Sequence, residues 1–346
     1  MKKLIALGLA ACMTFSLAGC SGSAGKETAA ASAAETTAET SAEAETSAEA
    51  ETSAEATADA ETSIDKLTVT YVTSPLNVPT IIEKDQGIFK KELGVPVEYA
   101  ELTSGADQTQ ALASGDVQVL YAVGATSVIL SAANGADIKV LNMYSRSPKA
   151  FCMYSKDESL TTPESLKGKT IAGPTGTNLH ELLVSYLAQA DMTLDDVNYV
   201  NMSIPDAKAG LDGGSVDVAL VAGATAYNAK QQGYHLVADG DGLISALIAV
   251  ATTQKFYDEH PDVIEKLNAA QDEIASYMAD NQNAAMETVA ATLDLDVDAV
   301  KEMYGFYDFS TEITDADKEG FQNTADFMYE SGMIENELDV NTLFIQ

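Results

Sequence analysis

From residue 66 onward, short apolar runs alternate with longer stretches in which apolar side chains recur every three or four positions. The short runs at 67–73, 95–99, 117–122 and 138–144 predict strands, and 80–93, 107–114 and 125–134 between them predict helices. A second set follows in the same order. Strands are expected at 170–172, 197–201, 216–221 and 235–238, with helices at 177–189, 205–212 and 224–232. Strand and helix alternating in this way predict parallel α/β layers. After 238 the character changes: one more apolar strand at 243–251 precedes helices near 254–260, 261–281, 284–292, 298–304 and 315–331.

The two sets echo each other. Gly115-Asp116-Val117-Gln118-Val119 runs on to Gly124-Ala125-Thr126, and Gly214-Ser215-Val216-Asp217-Val218 runs on to Gly223-Ala224-Thr225, each position 99 residues after its counterpart. Two βα units resemble each other by chance when both need a glycine turn and a buried Val-rich strand. A constant offset that carries a whole Gly-Ala-Thr triplet argues instead for two homologous α/β lobes. The strand at 243–251 then returns the chain to the first lobe, where the C-terminal helices pack. The crossings fall near 147–154 and 244–252 and act as a two-connection hinge.

In an open parallel sheet, ligands sit beyond the carboxyl ends of the strands, where loops feed helix N-termini. Four turns hold that place: 74–77, with Ser74 and Asn77; 124–127, with Gly124, Thr126 and Ser127; 173–178, with Thr175, Gly176 and Thr177; and 223–225, with Thr225. Glycine allows close backbone approach, and a Ser or Thr hydroxyl caps the helix while free N–H groups point outward. Each turn taken singly is also explained by helix capping. Two such turns per lobe suit a cleft that grips a small polar or anionic ligand.

Composition narrows the partners. Residues 66–346 hold 42 acidic and 16 basic side chains, and the whole chain carries a formal charge of −34, so nucleic acid and anionic lipid surfaces are poor partners. The three cysteines, Cys12, Cys20 and Cys152, leave one thiol in the body of the chain, and His180, His235 and His260 stand in no metal-ligand spacing. No metal site or cofactor is expected. Cys152 alternates with large apolar residues and reads as a buried, inert thiol, and His180 as a structural histidine. The absence of tryptophan rules out an indole platform.

The first 65 residues differ in kind. Met1, Lys2 and Lys3 precede an apolar run at 4–17, which is short for a membrane span and has the layout of a secretory signal. Leu17-Ala18-Gly19-Cys20 follows and is similar to a bacterial lipobox, which implies a lipid on Cys20 and a membrane anchor. Residues 21–65 are almost all Ala, Glu, Thr and Ser, with Glu-Thr-Ser-Ala-Glu-Ala repeated from Glu39, Glu45 and Glu51. Such a segment buries too little apolar surface to offset its ordering entropy and is expected to be a disordered acidic linker.

The segment 66–71, then Gln86-Gly87-Ile88-Phe89, then Ala111-Leu112-Ala113-Ser114-Gly115-Asp116 resemble the first lobe of bacterial ABC-transporter substrate-binding proteins. The branch is the nitrate, sulfonate, taurine and thiamine-precursor (NMT1/THI5-like) family. The stretch 165–177, from Ser165-Leu166-Lys167-Gly168-Lys169 to Thr177, resembles that family's entry into the second lobe. The resemblance implies a type II periplasmic-binding fold of two α/β lobes. Lobe 1 would take 66–148 and 250–346, and lobe 2 would take 149–249. It also implies a monomer that receives a small molecule, a partner permease and ATPase, and ligand contacts at Ser74, Asn77, Thr126, Thr175, Thr177 and Thr225.

Arg146 is the only arginine in the chain. Beside Tyr144 at the lobe boundary, its guanidinium is expected either to fork a sulfonate, carboxylate or phosphate, or to pair with an acid near the hinge. The turns offer hydroxyls and N–H groups but no evident base, so the expectation is a binding protein and no enzyme. A surface sensory module and a cleft enzyme on the same fold are the alternatives.

Overall fold

The computed structural model describes residues 62–102 and 104–345. The expected signal at 1–20, the lipidation candidate Cys20 and the linker up to residue 61 lie outside the described residues.

The chain runs β1 (Leu67–Thr70), α1 (Val78–Gln86), α2 (Ile88–Leu93), β2 (Val97–Ala100), α3 (Gly105–Ser114), β3 (Leu120–Gly124), α4 (Ala125–Ala133) and β4 (Lys139–Arg146). It then crosses into β5 (Phe151–Ser155), β6 (Thr170–Gly173), α5 (Asn178–Ala188), β7 (Asn198–Asn201), α6 (Ile204–Gly213), β8 (Val218–Ala222), α7 (Gly223–Gln231) and β9 (His235–Asp239). β10 (Leu247–Thr252) returns, and α8 (Gln254–Glu259), α9 (Pro261–Asp280), α10 (Gln282–Leu293), α11 (Val297–Tyr304) and α12 (Asp315–Glu330) follow.

Two sheets with the same connectivity result. In the second lobe the strand order is β7-β6-β8-β5-β9. In the first, β2 pairs with β1, a parallel bridge from Val69 to Val119 joins β1 to the approach of β3, and β3-β10-β4 completes the order. Each lobe thus holds one visiting strand, β10 or β5, antiparallel to both of its neighbours. The visitor arrives from the other lobe, so the two crossings bind the lobes together at their centres. Both β3 and β8 are buried on both faces and read as continuous apolar runs, Leu-Tyr-Ala-Val and Val-Ala-Leu-Val-Ala.

The C-terminal helices pack on the first lobe. α9 buries Val263, Ile264, Leu267, Ala270, Ile274 and Met278, a stripe at helical spacing that joins the core of α1 and α2. α12 sets Phe321, Ala325 and Met328 against Val128 and Ile129 of α4. α11 and α12 also reach the second lobe. Lys230 of α7 pairs with Glu302 of α11, and Thr324 of α12 donates a hydrogen bond to Glu181 of α5 at 3.1 Å.

The sequence pattern and the structure differ at two places. The single helix expected at 80–93 is two, because Gly87 takes a left-handed φ of +62° and turns the chain between them. Glu83, buried at the end of α1, accepts from the Phe89 N–H at 3.2 Å and the Tyr99 hydroxyl at 2.9 Å and draws α2 back against it. Residues 62–65, linker by composition, belong to the folded body. The Ser63 N–H and hydroxyl both donate to Asp262 at 2.7 Å, and Ile64 packs on the core.

The internal echo extends to the caps. Ser104 accepts from the Asp107 N–H at the start of α3, and Ser203 accepts from the Asp206 N–H at the start of α6, 99 residues on. The closing residues, Gly115 at φ +82° and Gly214 at φ +77°, keep the same offset. Ser104→Ala and Ser203→Ala should each cost about 1 kcal/mol in urea denaturation, the ordinary value of an N-cap hydroxyl. A loss below a few tenths at either position would show that the matched caps do not support their helices.

Candidate functional site

The carboxyl ends of both sheets face each other across a cavity of about 310 Å³. From the first lobe, the loop after β1 supplies Val72, Ser74, Pro75 and Asn77, and the end of β3 with the start of α4 supplies Ala122, Gly124, Thr126 and Ser127. From the second, the loop after β6 and the start of α5 bring Pro174, Thr177, Asn178 and Leu179, with Phe151, Ile204 and Ala222 beside them. Six of the sequence-predicted residues therefore meet at one cavity: Ser74, Asn77, Gly124, Thr126, Ser127 and Thr177.

Helix starts converge with them. Asn77, Gly124 and Ala222 stand at the N-caps of α1, α4 and α7, and none of the three makes a side-chain capping bond. The first-turn N–H groups of α4 and α7 are consequently not taken by cap side chains, and the helix dipoles place partial positive charge at the cavity. Among the described residues lining the cavity, no side chain is formally charged. An anion held here is held by N–H groups, hydroxyls and amides.

The lobes are already close. Gly223, at φ +55°, lies so near the Ser74–Pro75 turn that a Cβ on it would stand 2.6 Å from the Pro75 carbonyl oxygen. This contact crosses from one lobe to the other.

Five predicted residues lie elsewhere. The Thr175 N–H donates to Asn201 Oδ1 at 3.0 Å, and the Gly176 N–H donates to His180 Nδ1 at 3.3 Å, so both belong to the internal wiring of their turn. Thr225 does not line the cavity, although Thr126 does. α7 starts at Gly223 but α4 starts one residue later in the echo, at Ala125. A one-residue change in helix start rotates a side chain by about 100°. Tyr144 is a core residue, 2% exposed, and its hydroxyl is 2.8 Å from Thr80 Oγ1 and accepts from the Thr80 N–H at 3.1 Å. Its ring packs edge-on against Tyr121.

Arg146 corrects the sequence reading most sharply. Its Nε and Nη2 donate to the two carboxylate oxygens of Asp317, each at 2.6 Å. Nη2 also reaches the Glu312 carbonyl at 2.6 Å, and Nη1 reaches the Ser310 carbonyl at 2.8 Å and the Ser310 hydroxyl at 2.9 Å. All five N–H donors of a guanidinium are thereby used, and none is left to fork an anion. Burial alone would raise the Asp317 carboxyl, but the bonds from Arg146 and Thr314 override it and hold that carboxyl below its usual range.

Gly105 and Gln108, in the first turn of α3, line the cavity and were not singled out from sequence. The strand-end rule would have found them, since α3 follows β2 as α4 follows β3. Cys152 lies on the other side of β5, beside a second cavity of about 210 Å³ between β5, α7 and α11, which Tyr227 also lines. Burial pushes its thiol up to about 12. Glu181, buried against α12, is raised by burial to about 7, with the Thr324 bond acting the other way.

The NMT1/THI5 like family model matches residues 75–285. The chain is 29% identical over 203 residues to the taurine-binding periplasmic protein of Escherichia coli, a match that covers 58% of this chain and 62% of the relative's own length. The fold is that of solved periplasmic binding proteins. The periplasmic aliphatic sulphonate binding protein SsuA from Escherichia coli superposes with a TM-score of 0.75 at 20% identity, over 82% of this chain and 93% of that one. The alkanesulfonate-binding protein SsuA from Xanthomonas axonopodis pv. citri, bound to MOPS, gives 0.73 at 19%, over 82% and 98%.

Removing Arg146 tests its structural role. Arg146→Ala leaves the Asp317 carboxylate buried and unpaired, and should cost about 3–5 kcal/mol in chemical denaturation. A loss under 1 kcal/mol would show that the pair is dispensable. Glu181 makes a pH prediction. Its pKa is raised on folding, so the stability it contributes is full below about 4.5 and lost as pH rises through about 7. Glu181→Gln, which mimics the protonated side chain, should therefore gain on the order of 2 kcal/mol over the parent at pH 8 and nothing at pH 4. Parallel denaturation curves for the two proteins across that range would refute the assignment.

Proposed function

Because the chain belongs to the NMT1/THI5-like family, we propose that it is the extracytoplasmic solute-binding protein of an ABC importer. It closes two lobes on a small anion of the sulfonate class and delivers it to a permease driven by an ATPase. The observation that carries this reading is the cavity itself, where uncapped helix starts and hydroxyl and amide side chains from both lobes converge with no charged side chain among the described lining. A sulfonate is ionised at every physiological pH and spreads its charge over three oxygens. It suits a site that offers several N–H groups from different directions more than one that offers a single cation. The names of the taurine- and sulphonate-binding relatives support the same class.

The lining is otherwise apolar, with Val72, Pro75, Phe151, Leu179, Ile204 and Ile248 around the polar groups. That composition fits a short aliphatic ligand with one acidic end. Hydroxyls and amides hold a ligand, and the lining contains no histidine, thiol or carboxylate to act on one, so we read the cleft as a binding site. In this proposal the protein works as a monomer outside the cytoplasm, tethered by a lipid on Cys20 through the acidic linker.

A thermal-shift screen of the purified protein against sulfonates, nitrate, carboxylates and neutral sugars tests the class. A ligand at a hundred times its Kd adds about 2.7 kcal/mol, so a true ligand is plain. Stabilisation by neutral sugars and by no anion would sink the proposal. Closure has its own test. Gly223→Ala sets a Cβ against the Pro75 carbonyl oxygen and forces alanine into a left-handed φ. It should weaken the ligand by roughly tenfold or more while costing about 1–2 kcal/mol of fold stability. Unchanged affinity would mean that the approach of these two turns does not accompany binding.

A further inference from the structure

Gln108 is 3% exposed, stands in the first turn of α3 and lines the cleft. Its Nε2 donates to the Leu102 carbonyl at 3.0 Å, which settles the orientation of the amide, because a flipped group would set oxygen against oxygen. The other end, Oε1, is buried and has no protein partner. Of the buried, unpartnered side-chain polar atoms among the described residues, this is the one that belongs to the cleft lining.

The position of α3 makes that atom useful. A Cβ on Gly105 would fall 1.9 Å from Ser127 Oγ, so the first turn of α3 sits directly against the first turn of α4. The α4 turn presents donors to the cavity, and the α3 turn next to it presents an acceptor. An unmet buried acceptor costs about 1–3 kcal/mol, and a ligand bearing an N–H or O–H group relieves that cost where an alkyl group cannot. Sites built to hydrogen-bond a substrate group reject analogues that lack it far more strongly than apolar pockets reject a missing methylene.

We propose that Gln108 is a specificity-determining residue, and that the cleft selects small anions carrying a hydrogen-bond donor close to the acidic group over their plain alkyl counterparts. The inference rests on the sulfonate-class reading of the cleft. No carboxylate lines the cavity among the described residues, so the donor is read as a donor and not as a charge, and an amino or a hydroxyl group serves.

Isothermal titration of the purified protein with 2-aminoethanesulfonate, 2-hydroxyethanesulfonate and ethanesulfonate tests this directly. The two donor-bearing compounds should bind roughly tenfold or more tighter than ethanesulfonate, and Gln108→Leu should bring the three to within a few-fold of one another. Equal affinity of all three for the parent protein would overturn the role of Gln108 and leave the sulfonate reading standing. A preference that survives unchanged in Gln108→Leu would do the same. Binding of none of the three would overturn the sulfonate reading, and this inference with it. The comparison among ligands on the parent protein decides the matter even where the variant fails to fold.

Discussion

A guanidinium has five N–H donors, and in Arg146 all five close on one short stretch of chain, from Ser310 to Asp317. Asp317 lies in the first turn of α12, and Thr314, the N-cap of that helix, bonds to the same carboxylate. Arg146 is also the last residue of β4, where the chain leaves the first lobe. One ion pair therefore fastens the start of α12 to the point at which the lobes divide. From there α12 carries Thr324 to Glu181 and Phe327 to the edge of His180, both on α5 of the second lobe. The start of α5 forms one wall of the cleft. How the two walls face each other thus depends on a pair that touches neither.

The same pair decides the electrostatics of the cleft. With the only guanidinium of the chain committed elsewhere, the walls offer oriented dipoles in place of a cation. In a protein of formal charge −34, a buried cation would meet competition from many carboxylates. Backbone N–H groups at helix starts cannot be drawn away in that fashion, since their orientation comes from the helices themselves. This is a physical reason for an acidic protein to grip an anion with N–H groups.

The two lobes are copies down to their Ser caps and left-handed glycines, yet they are not equivalent at the cleft. Gly124 enters α4 with a φ of −68°, whereas its counterpart Gly223 takes +55° and starts α7 a residue early. The second lobe thereby turns Thr225 away and sets a bare backbone against Pro75. The first lobe keeps its hydroxyls, Thr126 and Ser127, on the cavity. One copy presents polar side chains, and the other supplies the close approach that lets the lobes meet.

The sequence by itself determined the architecture and most of the polar rim. Periodicity, the 99-residue echo and the strand-end rule depend on residues near one another in the chain, and they located Ser74, Asn77, Gly124, Thr126, Ser127 and Thr177. The rule was equally available at the start of α3, where Gln108 went unread because no glycine-threonine turn marks it. Only the tertiary structure decided what Arg146, Tyr144 and Thr225 do. Arg146 finds its partner 171 residues away, and Tyr144 finds Thr80 at a separation of 64. The fate of Thr225 turns on a single backbone angle. A lone arginine at a lobe boundary looks the same in sequence whether it faces a ligand or a helix that returns much later. Which of these it meets is settled by packing between distant segments, and local spacing carries no record of that.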